Sequence, residues 1–446
     1  MKVVSGREAI EELNRSVPES GLFRGKKWRW SDQPWMLDPE EVRWLKGLGK
    51  KLAVFQRAAD KLYRASAAGD EFRWVSEWLD LGKPEEVIRV GREAKGALPR
   101  LIRPDLIRTE SGWALTEIDA VPGGVGLTAW LQEAYAKLGH EVLGGTGGMR
   151  SIAREILGDD GEVVISEEAG DYRPEWEWLV GKDRVKDAET YRQKKGAAYR
   201  FFEMFDWMRF EGIRNSKEDG VRWEAPLKAY LEEKLWWALF WMKPLEGWWR
   251  KELGEGYFKE LRGLVPRAWP LRPMDLPPEG VLPELGIQSW SELEGFSQKA
   301  RELVVKISGF SPRAWGSKGV FLGSDHPKER WVQEVRRALG EWLQQPHLLQ
   351  KFEHPVSVAH PVWNEERGEM IDGKWRLRLC PYYLVTGEKV ELKGALATLC
   401  PTDKKLVHGM EEAVLVPVGT KMGPPEGPQA ETIFSRGGEC SVSGRG

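Results

Sequence analysis

Apolar positions along the chain switch between helical and strand-like spacing. Residues 39–69, PEEVRWLKGLGKKLAVFQRAADKLYRASAAG, keep one apolar stripe and stop at glycine, which predicts a long amphipathic helix. Further helices are predicted over 84–96 and over 127–139, the latter ended by Gly139. Between them, 101–119 alternates in the manner of a β-hairpin. Gly144, Gly145, Gly147 and Gly148 mark a flexible junction, and EVVISEE at 162–168 opens a βα unit. Residues 226–252 read as a Trp-rich helical region and 270–286 as a Pro-rich linker. LVVKISG at 303–309 is a strand running into WGSKGVFLG at 315–323. A helix is predicted over 328–345, a strand over 348–353, and a pair of strands over 375–385 and 389–400. Residues 421–446, rich in Gly, Pro and Ser, are expected to be disordered. No internal repeat is visible, and the mixture predicts a multi-lobed α+β protein.

Composition narrows the class of partner. With 446 residues, 41% hydrophobic and 30% charged, the chain reads as a globular protein of two or three domains. The net charge of −2 gives no basic excess for nucleic acid. Cys380, Cys400 and Cys440 lack CxxC spacing, and the six histidines lack metal-ligand spacing. The first residues, MKVVSGREAIEELNRS, have no apolar leader core, and no window reaches ~18 apolar residues. A cytoplasmic protein without a membrane partner is the default expectation. The 24 tryptophans are unusual. Trp237, Trp241, Trp248 and Trp249 fall on one broad helical face, read as an aromatic core or domain seam rather than a stacking platform for a base or sugar.

Chemistry concentrates in LIRPDLIRTESGWALTEIDAVPGGVG, residues 101–126. A three-residue loop, Glu110–Ser111–Gly112, would pair 109 with 113, 105 with 117 and 103 with 119. Arg103, Asp105, Glu117 and Asp119 would then share one face. Carboxylates this close repel unless a cation lies among them, and Mg²⁺ takes oxygen ligands together with substrate phosphates. Arg103 could hold a phosphoryl or carboxylate group bidentately. A surface hairpin balanced by Arg103 and Arg108 is the competing reading. Pro122 to Gly126 would let backbone amides and the following helix N-terminus approach an anion.

Lys306 stands in an otherwise apolar strand and needs an anionic partner, for which nucleotide phosphates would serve. The loop 309–319, with Gly316, Ser317 and Gly319, could close over them with backbone N–H groups. It is not a Walker A loop, because GxxxxGK[ST] is absent. Gln350, in LLQKFE, would sit in an apolar slot suited to adenine.

Together these residues resemble a circularly permuted ATP-grasp protein, similar in its site to the synthetase domain of glutathionylspermidine synthase. That family carries Arg–x–Asp and, after a hairpin, Glu–x–Asn; here stand Arg103–Pro–Asp105 and Glu117–Ile–Asp119. The resemblance implies that Asp105, Glu117 and Asp119 bind Mg²⁺ and that Arg103 stabilises the reacting acyl phosphate. It implies that Lys234 and Lys306 contact ATP, with Gln350 as the hinge glutamine. The lysines follow the carboxylates here, the reverse of ordinary ATP-grasp order, as permutation requires. The family's C-terminal phosphate arginine has no counterpart in GALATLC, and Arg376 or Arg378 would replace it. An amidase domain with an N-terminal catalytic cysteine is not expected among these residues, since the cysteines all lie beyond residue 379.

The implied organisation is an N-terminal helical region with the Mg²⁺-binding half over 1–150 and an inserted βα lobe, like a pre-ATP-grasp unit and lining the acceptor side, over 151–225. A nucleotide-binding half over 226–420 and a tail over 421–446 complete it. The implied activity is ATP-dependent joining of a small carboxylate to a small amine through an acyl phosphate. The alternatives are an inactive nucleotide-binding or scaffold protein of the same fold, and an aromatic-lined carbohydrate or peptide binder.

Overall fold

The computed structural model describes residues 3–18, 28–192, 195–216, 220–273, 282, 284–314, 318–405, 407 and 412–421. Gly316, Ser317 and the tail from 422 onward lie outside the described residues, as does much of the Pro-rich linker. Among the described residues, no helix is long and apolar enough to cross a membrane.

Three sheets organise the α+β fold. The largest joins β1 (Trp35–Leu37), β2 (Leu101–Thr109), β3 (Gly112–Asp119), β12 (Ser357–Asn364), β13 (Glu369–Thr386), β14 (Lys389–Pro401) and β15 (Val414–Thr420). Its order is β1-β15-β14-β13-β2-β3, with β12 also on β13, and only β1 and β15 run parallel. The second sheet is parallel: β4 (Glu162–Ile165), β5 (Val185–Asp187), β6 (Gly196–Phe201) and β7 (Val221–Trp223), in the order β5-β4-β6-β7. The third is antiparallel: β8 (Ala268–Pro270), β9 (Leu303–Ile307), β10 (Val320–Leu322) and β11 (His347–Lys351), in the order β10-β9-β11-β8.

The predicted long helix spans Pro39–Ala68. Asp38 and Glu41 cap it reciprocally, and Gly69 ends it in the left-handed region at φ 84°. Leu45, Leu48, Leu52, Phe55 and Leu62 bury its inner face in the main core. The Trp-rich segment departs from the single helix expected. It forms two helices, Leu235–Trp241 and Glu246–Leu264, separated by a short 3₁₀ turn containing Pro244. Trp237 and Trp249 therefore converge on Phe55, at ring-centroid distances of 5.3 and 5.2 Å, rather than sharing a face. Both are buried, which makes this cluster core.

The hairpin also differs at its tip. Thr109 pairs with Gly112 and Arg108 with Trp113, one residue out of the expected register. An irregularity beside Asp105 and Leu106 then leaves Thr116 unpaired, which restores Asp105 opposite Glu117 and Arg103 opposite Asp119. The bulge brings the charged residues to the predicted cross-strand positions by a different path.

Candidate active site

A cavity of about 960 Å³ lies where the three sheets meet. Arg103, Asp105, Glu117 and Asp119 all line it, as does Lys234. The carboxylates are held by the protein's own cations. Arg103 pairs with Asp105 and Asp119, each at 3.2 Å, and Arg378 pairs with Asp105 at 3.2 Å. Lys234 pairs with Glu117 at 2.9 Å and donates to the carbonyl of Ala314 at 2.9 Å. Burial alone would raise the Asp105 carboxyl, but Arg103 and Arg378 outweigh it and hold it low. At Asp119 burial prevails over Arg103, and the carboxyl is raised. Among the described residues, no three His, Cys, Asp or Glu side chains form a ready-made metal cage. The expected three-carboxylate cluster is thus a set of ion pairs around one cavity.

Lys306 is 8% exposed and donates to the carbonyl of Thr116 at 3.2 Å, a neutral acceptor at the hairpin bulge. Burial lowers its pKa to about 8, with Glu117 opposing and Lys234 reinforcing the shift. Its strand partner Val320 lines the cavity. Gln350 does not line it. It lies on the same sheet face, one pleat repeat (about 7 Å) along from Lys306, because Lys306 opposes Leu348 and Val304 opposes Gln350. Val304, Leu322 and Phe352 form a small apolar cluster at this face, and the buried Gln350 Nε2 has no hydrogen-bond partner among the described residues. Gly319 closes the neck of the loop, its carbonyl accepting from Ile307 N at 3.0 Å. Of the two arginines proposed from sequence, Arg378 enters the cavity, while Arg376 reaches the carbonyl of Lys404 at 2.6 Å.

The Gly-rich turn binds an anion, but one supplied by the chain. Glu175 accepts from Gly124 N at 3.2 Å and from Leu127 N at 2.9 Å, at the start of the helix Val125–Lys137. A Cβ on Gly126 would lie 2.7 Å from the Glu175 backbone carbonyl, so the turn and the Glu175 helix close only over glycine. Tyr382 donates to the carbonyl of Gly123 at 2.8 Å and Arg103 does so at 3.3 Å, tying the turn to β13 and to the hairpin.

The sequence predicts a βα lobe on the acceptor side but singles out none of the acids that line the cavity there. Glu168, Glu203, Asp206 and Glu232 line the cavity opposite the hairpin. Glu232 is ion-paired to the buried Arg200. Burial and the neighbouring Glu232 push the Glu203 carboxyl up to about 8. The only local signal is acidic residues directly after two short strands, a pattern shared with ordinary solvated loops.

No family model matches this chain, and no curated protein matches it. Solved structures do. A glutathione synthetase-like effector from Globodera pallida, in its apo form, superposes with a TM-score of 0.50 at 10% identity, over 93% of this chain and 97% of that one. A gamma-glutamylcysteine synthetase candidate from Methylobacillus flagellatus gives 0.35 at 12% identity, over 85% and 87%. The first likeness is one of fold alone, and the second is too loose to add to it.

Proposed function

We propose that the protein is an ATP-dependent carboxylate–amine ligase of the circularly permuted ATP-grasp kind. The observation that carries this reading is the convergence of Arg103, Arg378 and Lys234 with Asp105, Glu117 and Asp119 in one cavity, with Lys306 beside it. A structural core has no use for so many charges in one place, because each costs desolvation.

The residues fit the implied ligands. Asp105 and Glu117 stand opposite each other across the hairpin, and Mg²⁺ usually takes one or two carboxylates with phosphate oxygens completing its shell. The orphaned Gln350 Nε2 and the apolar patch around Val304 suit the edge and face of a base. Bound ATP with Mg²⁺ would supply the phosphoryl group that activates a substrate carboxylate as an acyl phosphate, from which an amine displaces phosphate. Arg103 would hold the carboxylate and phosphoryl oxygens in its fork. Lys234 and Lys306 would neutralise phosphate charge, with Lys234 released from Glu117 as that carboxylate turns to the cation. Arg378 would exchange Asp105 for a phosphate oxygen. Positioning and charge neutralisation supply most of the catalysis in such transfers.

Phosphate release from ATP, in the presence of amino acids, peptides and other small acids and amines, tests the reading. Glu117→Ala is expected to lower the stimulated rate about 100-fold or more; an undiminished rate would remove Glu117 from the machinery. The engagement of all three carboxylates by protein cations favours one other reading, a nucleotide binder without turnover. Mg²⁺-dependent ATP binding with no ADP formed under any substrate pool would select it.

A further inference from the structure

Three consecutive charges open the segment that carries Lys234, and each has a different partner. Glu232 is ion-paired to Arg200, and Lys234 to Glu117. Glu233, between them, does not line the cavity. It pairs at 2.5 Å with Lys83, from the turn after the helix Trp74–Asp80, and both side chains are 2% exposed. Lys83 also donates to the carbonyl of Leu79 at 2.6 Å. The second Glu233 oxygen accepts from the hydroxyl of Ser308, which follows β9.

Ser308 is fully buried and closes a ring of contacts. Its carbonyl accepts from Lys234 N at 2.7 Å, and its hydroxyl oxygen accepts from Leu235 N at 3.0 Å, where the helix Leu235–Trp241 starts. The next residue, Gly309, packs on the Glu233 carboxyl, and a Cβ there would lie 2.9 Å from the carboxyl carbon. Phe310 then takes a left-handed φ of 46°, strained for a residue with a β-carbon. It lines the cavity, with its ring centroid 5.5 Å from Lys83 Nζ. Such strain persists only where the surroundings over-determine it. A buried ion pair gains little stability over apolar residues of the same volume, and its best-attested use is to fix a geometry. Here it braces both sides of Lys234. Ser308 holds the Lys234 backbone, and the chain beyond Phe310 supplies the Ala314 carbonyl that the Lys234 ammonium meets at 2.9 Å.

We propose that Glu233, paired with Lys83 and bonded to Ser308, is a positioning residue that sets where the Lys234 ammonium stands in the cavity. Lys83, Glu233 and Ser308 do not themselves line the cavity. They act through the backbone of Lys234 and through the turn at Gly309 and Phe310. Lys83 belongs to the N-terminal helical region, so the anchor also ties that region to the lysine. The target of the ammonium, a phosphate group, rests on the ligase reading, whereas the hold on Lys234 does not.

Calorimetric titration of the full chain would compare a non-hydrolysable Mg–ATP analogue with adenosine, which lacks the phosphates. Ser308→Ala removes one hydroxyl. Lys83→Met with Glu233→Leu removes both buried charges together, so that neither is left unpaired, and serves should the first variant fail to fold. In each the analogue is expected to bind about tenfold more weakly, the worth of one charge-assisted hydrogen bond, while adenosine binds as it does to the parent. A merely structural role would weaken both ligands alike. Hydrogen exchange without nucleotide should accelerate over 233–241 in the variants. Undiminished affinity for the analogue, equal weakening of both ligands, or unchanged exchange in a folded variant would overturn the positioning role and leave the ligase reading standing. A parent that binds no analogue would remove the ligase reading, and faster exchange over 233–241 in the variants would then still sustain the hold on Lys234.

Discussion

Replacing Lys306 with methionine separates what this lysine costs the fold from what it offers a ligand. Burial lowers its pKa from 10.5 to about 8, which corresponds to roughly 3 kcal/mol against the charged form. Methionine keeps most of the side-chain volume but deprives the Thr116 carbonyl of a donor, a loss of about 1 kcal/mol. The unliganded Lys306→Met protein should therefore be more stable than the parent by about 2 kcal/mol at pH 7, or about 2 °C in Tm for a chain of this size. The pH dependence follows from the direction of the shift. Below about 8 the lysine is charged in both folded and unfolded chains, so the full cost is present. Between 8 and 10.5 the folded chain has released the proton and the unfolded chain has not, so this cost shrinks; above 10.5 it is gone, and the lost hydrogen bond leaves the variant the less stable by about 1 kcal/mol. Denaturation followed from pH 6 to 10.5 measures this directly. Added Mg–ATP should stabilise the parent and have little effect on the variant. A variant less stable than the parent at pH 7, or a difference independent of pH, would refute both the burial argument and the idea that the lysine awaits an anion.

Two other perturbations test the frame around the site. Glu175→Ala leaves the amides of Gly124 and Leu127 without acceptors, and should cost about 2 kcal/mol, with hydrogen exchange accelerating at those two amides first. His347 and His360 are 0% and 5% exposed, and burial lowers both pKa values from 6.5 to about 4. Their contribution is complete above pH 6.5 and is lost as pH falls through 6.5 towards 4, by up to roughly 3 kcal/mol each. His347→Gln with His360→Gln should flatten the stability profile across that window, and an unchanged profile would exclude them as its source.

What could be read from sequence divides by the range of the interactions. The helix Pro39–Ala68 was legible because its cap, its stripe and its terminal glycine are all local. The hairpin charges were legible for a similar reason, since strand periodicity places alternate residues on one face whatever the rest of the chain does. Even so, Thr116 gives no sign that it is a bulge, so the tip register differs from the expected one while the pairs Asp105–Glu117 and Arg103–Asp119 stand as expected. Lys306 stood out as a charge in an apolar strand, and its burial without a side-chain ion pair among the described residues fits that signal. The anion at the Gly-rich turn was mistaken because Glu175 lies about fifty residues away in sequence. The lobe 151–225 could be read from its βα pattern, but which of its acids face the cavity could not, because that depends on strand order, which no window of residues carries. The legible part of the cavity is thus the hairpin and its charges, which local periodicity marks. The acidic part is assembled by topology, from residues that in sequence look like any solvated loop. That asymmetry explains why the charge pairs of the hairpin could be argued from spacing, while the acids that share the cavity with them had to wait for the strand order that places them.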